Sequence, residues 1–222
     1  EEGRQILNNT RKTLVYLLSN ALDALVLIGG SVLGEIALPL NALQILWVNF
    51  FSDSFPAIAF AFEKDGHGSL VHKKPTNKSE LFTPLMSYLI LFIGISTSML
   101  LLILYWILLK IGVSEEIART FIFMSFGTHT LFLALSVRSL GKSIFSYPFF
   151  SNKYLLVGVA IGLLLMVGAV YVPFLQPIFE TAHLSPPWIA GVVGIGLLNI
   201  LMIEVGKWIF RRKQNSYKIK TT

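Results

Sequence analysis

Runs of about 20 mainly apolar residues recur along this chain, and a run of that length, wound as a helix, matches a hydrocarbon core of roughly 30 Å. Six such windows can be drawn, roughly at 13–34, 42–62, 84–109, 117–137, 153–172 and 188–210. In lipid each backbone amide and carbonyl must find a partner within the protein, so windows of this kind fold as helices. The expected fold class is an all-α membrane protein, a bundle of six transmembrane helices. Composition agrees, since 54% of the 222 residues are hydrophobic and only 14% charged. The mean hydropathy of +0.69 is far above that of a soluble domain.

Lysine and arginine set the orientation, because short cytoplasmic loops retain positive charge. Arg4, Arg11 and Lys12 precede the first window, Lys64, Lys73, Lys74 and Lys78 separate the second from the third, and Arg138, Lys142 and Lys153 separate the fourth from the fifth. Lys207, Arg211, Arg212, Lys213, Lys218 and Lys220 close the chain. Sixteen of the 18 basic residues thus fall on one side, leaving Lys110 and Arg119 on the other. Both termini are expected to be cytoplasmic, with residues 1–15 beginning a stalk, residues 13–210 forming the membrane domain and residues 211–222 a basic tail. The net charge of +6 is divided among membrane-flanking loops and forms no stripe on a folded face, so topology explains it better than a nucleic acid partner. The lipid bilayer is the partner that composition implies, with a multi-pass location in the cell membrane expected.

The loop at 63–83 is polar, carries Gly66, Gly68 and Pro75, and is expected to be irregular. Pro173, Pro177, Pro186 and Pro187 should end one helix and delay the next. Gly30 with Gly34, and Gly158 with Gly162, have the small-xxx-small spacing that lets helices approach closely. Trp47, Trp106, Trp188 and Trp208 read as interfacial anchors. Cysteine is absent from the sequence, which excludes disulfide and thiol chemistry. The opening EEGRQILNN has neither an initiator Met nor a signal-peptide pattern, and is read as part of something longer.

Polar residues inside the apolar windows carry the chemistry. An ionised carboxylate at mid-bilayer costs roughly 2.5–3.5 kcal/mol on insertion scales, so it persists where a partner compensates. Asp53, in LWVNFFSDSFPA, lies in the middle of the second window, and Asp23 lies in the first. On an α-helix Asn49, Ser52 and Asp53 stand at i, i+3 and i+4, on one face. Pro56 removes the amide that would bond the Ser52 carbonyl, so the helix is expected to kink or unwind there. Freed carbonyls, an amide oxygen, a hydroxyl and a carboxylate together suit a hard cation such as calcium. Asn20 and Asp23, at i and i+3 in the first window, are candidates to complete this cage. The competing reading is a polar knot that only joins helices. Thr128, His129 and Thr130 fit packing, His129 reads as a hydrogen-bonded packing residue, and Ser96, Thr97 and Ser98 can bond back to their own helix. Glu204 and Lys207, three residues apart, suggest an interfacial ion pair.

EEGRQILNNTRKTLVYLLSN resembles the stalk and fifth transmembrane helix of P-type cation pumps of the calcium ATPase class, and LWVNFFSDSFPA resembles their sixth. The likeness extends over nearly the whole chain, which looks like the carboxy-terminal six-helix half of their membrane domain. It implies that Asn49, Ser52 and Asp53 coordinate the transported cation, calcium by default. In the first window an ungapped alignment puts the family's ligands on Ala21 and Ala24, whereas a one-residue deletion puts them on Asn20 and Asp23. Thr130 takes the place at which the family's eighth helix often carries a Glu. The resemblance also implies partners within the same pump: N-terminal membrane helices, and cytoplasmic phosphorylation, nucleotide-binding and actuator domains through which Mg-ATP acts. No DKTGT motif occurs here, and Asp23, Asp53 and Asp65 are the only aspartates, so this chain by itself is expected not to hydrolyse ATP. The alternative is a free-standing six-span binding, channel or scaffold protein.

Overall fold

The computed structural model describes residues 2–63, 82–141, 143–146 and 148–219. Among these the regular structure is entirely helical, with no strand. The chain runs α1 (Glu2–Leu33), α2 (Ala42–Trp47), a π turn (Val48–Ser52), α3 (Ser54–Ala61), α4 (Pro84–Lys110), α5 (Glu115–Val137), α6 (Lys153–Tyr171), α7 (Gln176–Phe179) and α8 (Pro186–Ile219). Among the described residues five helices, α1, α4, α5, α6 and α8, are long and apolar enough to cross a membrane. The 42–62 window differs from the others because the π turn divides it into two short helices. The expected irregular loop, with Lys64, Asp65, Lys73, Lys74 and Lys78, lies outside the described residues, as do Lys142 and Lys220.

Boundaries follow local chemistry. Asn41 opens α2 with a capping box, its side chain accepting from the Gln44 amide at 2.8 Å while Gln44 returns a bond to the Asn41 amide at 3.0 Å. Thr83 caps α4, with Pro84 at its first position, and Asn152 caps α6 at the Leu155 amide, 3.0 Å away. Pro173 follows the end of α6 and Pro186 opens α8, as expected of residues that cannot continue a helix. Both terminal helices overrun the windows, α1 beginning at Glu2 and α8 continuing to Ile219.

Helix α5 runs through the centre and is buried along nearly its whole length, whereas most of each other long helix faces outward. It is also the least apolar of the five. Lipid is at least as apolar as a bundle interior, so the polar side chains of Thr128, His129 and Thr130 gather inside, where partners exist. Small residues permit the close approaches. A Cβ on Gly158 would stand 3.3 Å from the backbone of Phe55, bringing α6 against α3. One on Gly162 would strike Leu131 of α5 at 2.5 Å, and one on Gly30 would strike Leu102 of α4 at 2.6 Å. Gly34 departs from the packing expectation, since it lies past the end of α1 and its neighbours belong to its own turn.

Side-chain bonds fix which helix ends lie together. Gln5 and Asn9 of α1, Glu63 after α3, Arg138 after α5 and Asn152 before α6 meet at one end. Phe210 of α8 packs against Tyr88, near the start of α4, and Lys207 bonds the Ser136 carbonyl at 2.7 Å, so the end of α8 is there too. At the opposite end Gln44 reaches the Phe179 carbonyl at 2.8 Å and Arg119 meets Glu180 at 2.9 Å. The first helix therefore starts, and the last one finishes, at the same end of the bundle. The Lys207–Glu204 pair forms at 2.8 Å, and Lys207, only 1% exposed, also completes the last turn of α5.

Candidate cation site

The π turn builds the site. Pro56 has no amide proton, so the Ser52 carbonyl cannot close a regular α turn, and the Asp53 amide bonds the Val48 carbonyl at 3.0 Å across the wider loop. The helix does not unwind. It widens by one turn and resumes, with the Ala57 amide bonding the Asp53 carbonyl at 3.1 Å. The freed Ser52 carbonyl is taken up by the Tyr16 hydroxyl of α1 at 3.1 Å, which also stands 3.4 Å from Asp53 Oδ1. A backbone group left open by proline in a membrane helix is thus satisfied from a neighbouring helix.

Asp53 is 4% exposed, and Asn20 of α1 donates to its Oδ1 at 3.1 Å. Two helices therefore converge on one carboxylate. The structure brings Asn20, Ser52 and Asp53 together and places Asp23 one turn along α1, where its Oδ2 lies 3.3 Å from His129 Nε2 of α5. Both residues of that pair are fully buried, and the contact lacks hydrogen-bond alignment. Among the described residues Asn20 Oδ1, Ser52 Oγ and both Asp23 carboxylate oxygens are buried with no hydrogen-bond partner. Such unpartnered hard oxygens are the donor chemistry that calcium or magnesium takes. No three His, Cys, Asp or Glu side chains gather among the described residues, so a cation held here depends on amide, hydroxyl and carbonyl oxygens around Asp53.

Two expected members stand apart. Asn49 is exposed on the outside of the bundle while Ser52 and Asp53 are buried, so the shared face expected of an α-helix is not formed. The wider π turn takes more residues per revolution, and residues four apart no longer superimpose. Thr130 is buried, but its hydroxyl bonds the Phe126 carbonyl one turn back on its own helix at 2.9 Å. In α1 Asn20 and Asp23 face inward, whereas Ala21 is exposed and Ala24 partly buried. Ser96 bonds back to the Phe92 carbonyl and Ser98 to that of Gly94, as their types suggest. Sequence reasoning missed Tyr16, since a tyrosine in an apolar run gives no sign of which carbonyl it will reach. It also read His129 as a packing residue, where the fold sets it against an acid.

A buried carboxylate beside a proline-opened turn, met by an amide and a hydroxyl from a second helix and flanked by a carbonyl of its own turn, is the arrangement expected of a membrane cation path. The family model for the C-terminus of cation transporting ATPases matches residues 37–209. The chain belongs to this family. Calcium-transporting ATPase 1 of Yarrowia lipolytica is 30% identical over 98% of this chain, an alignment that covers 24% of the relative. Calcium-transporting ATPase of Bacillus subtilis is 30% identical over 96% of the chain and 24% of its own length. Calcium-transporting ATPase type 2C member 2 of Mus musculus reaches 35% identity over 83% of this chain. The chain thus spans about a quarter of the length of the first two relatives. It is a C-terminal domain of a cation transporting ATPase, a membrane protein with several helices able to cross the bilayer, and the free-standing scaffold reading is not favoured.

Proposed function

We propose that the chain forms the carboxy-terminal membrane half of an ATP-driven calcium pump and supplies the intramembrane cation site. The observation that carries this reading is Asp53, buried at the π turn with Asn20 and Tyr16 bonded to it or to its neighbouring carbonyl. Ser52, Asp53 and Asn20 form the core of the site, with Asp23 extending it towards α5. Asn49 turns towards whatever packs on the outside of this bundle, which in the intact pump is the N-terminal membrane half. Thr130 joins the set when its hydroxyl oxygen accepts a cation while its proton stays on the Phe126 carbonyl. α2, the π turn and α3 make a sixth, broken crossing. The end that gathers the chain termini is the cytoplasmic one, which agrees with the distribution of lysine and arginine. The cell membrane is the proposed location, and Mg-ATP acts through phosphorylation and nucleotide-binding domains outside this chain.

Transport needs two states that bind the cation unequally. A π turn gripped from α1 supports such a switch, because a movement of α1 that carries the turn with it shifts Ser52 and Asp53 against the oxygen donors of the surrounding helices. Sealed vesicles containing the intact protein should accumulate calcium on addition of ATP, and Asp53→Asn should abolish the uptake. Uptake that persists unchanged in Asp53→Asn would remove the site from Asp53.

A further inference from the structure

We propose that Glu63 is a positioning residue, a fulcrum that makes α1 and α3 move as one unit against a scaffold formed by α5 and α6. The proposal rests on the pump reading above and concerns how force reaches the site, about ten residues away. Two functional groups of one residue point in two directions. The Glu63 backbone carbonyl accepts from Gln5 Nε2 at 3.1 Å and Asn9 Nδ2 at 3.0 Å, side chains four apart on one face of α1. Its carboxylate accepts from Arg138 at the end of α5, with Oε1 3.2 Å from Nε and 2.9 Å from Nη2, and Oε2 accepts from Asn152 Nδ2 at the start of α6. Asn152 also reaches the Ala59 carbonyl at 3.3 Å, and Arg138 reaches Ser151 Oγ at 2.5 Å. Glu63 is 5% exposed and Arg138 6%.

The geometry explains why this is more than packing. From Asp53 to Glu63 the chain forms a short rod, α3 (about 12 Å at 1.5 Å per residue) closed by a turn at Phe62 and Glu63. α1 grips that rod at both ends, through Gln5 and Asn9 at Glu63 and through Tyr16 and Asn20 at Ser52 and Asp53. A displacement of α1 therefore carries the whole rod, provided the far end pivots about a fixed point. The Glu63 carboxylate supplies that point, tied to α5, the most buried helix of the bundle. A buried ion pair adds little net stability over an apolar pair of the same volume, so directional constraint is the better account of these two charges.

The test uses the intact protein in sealed vesicles, with calcium uptake and ATP hydrolysis measured on the same preparation to give ions moved per ATP. Glu63→Gln removes the charge at the pivot, and the double variant Gln5→Leu/Asn9→Leu severs the stalk limb while leaving the Arg138 pair intact. Both are expected to keep calcium-dependent hydrolysis while lowering the ions moved per ATP about threefold or more, the size of a coupling loss of this kind. Less folded protein with an unchanged ratio in both variants would show a purely structural role and overturn the proposal. So would a ratio that falls in Glu63→Gln but not in the stalk double variant, because the two limbs would then not act together. A wild-type protein without calcium-dependent hydrolysis would instead overturn the pump reading itself.

Discussion

Replacing Pro56 with alanine separates the stability of the broken helix from its use. Proline in a helix interior is about 3 kcal/mol less favourable than alanine. Here the opened Ser52 carbonyl recovers a hydrogen bond from Tyr16 at 3.1 Å, a bond worth about 1 kcal/mol net. If alanine lets residues 52–56 close a regular α turn, the gain is the difference, about 2 kcal/mol, a factor of roughly 30 in the folding equilibrium. For a domain of this size that corresponds to a midpoint about 4–8 °C higher. The same closure takes the Ser52 carbonyl away from the site and turns Asp53 away from Asn20, so calcium affinity should fall. The assay is a thermal unfolding curve in detergent beside equilibrium calcium binding by the intact protein. A Pro56→Ala protein that is less stable than wild type, or one that is more stable yet binds calcium as well, would refute the reasoning that the opened turn is held for the cation.

Two further outcomes follow from single contacts. Asn20→Leu removes the 3.1 Å bond to Asp53 Oδ1 and one amide oxygen donor, and should weaken calcium binding about tenfold, corresponding to roughly 1.4 kcal/mol, read by equilibrium binding at fixed pH. Gly158→Leu forces a side chain into a place where even a Cβ would meet the Phe55 backbone at 3.3 Å. It should destabilise the α3–α6 contact by about 1–3 kcal/mol, visible as a lower unfolding midpoint, whereas Gly168→Leu, with nothing within 4 Å of its Cβ position, should not.

Much of the fold was legible because lipid imposes simple rules. Window length, backbone hydrogen bonding and proline placement located the long helices α1, α4, α5, α6 and α8 to within a few residues, apart from the overruns at the termini. The 42–62 window was legible only as an apolar stretch. What becomes of the Ser52 carbonyl that Pro56 leaves open rested on Tyr16, 36 residues before Ser52, which supplies the missing donor. The polar positions at 20, 23, 52 and 53 stood out because buried polar groups are costly. Their arrangement did not, since a helical wheel with 3.6 residues per turn places Asn49 with Asp53 and the π turn separates them.

Window length and residue chemistry, local along the chain, determined by themselves that this protein is a bundle of membrane helices and that Asp53 beside Pro56 is a costly point within it. Only the tertiary structure decided which side chains meet the buried acids: Asn20 and Tyr16 from α1 at Asp53, His129 beside Asp23, and Arg138 and Asn152 at Glu63. The physical reason is that a side chain's type fixes what it can bond, whereas the partner it meets depends on helix rotation and packing, which side chains distant in sequence set together.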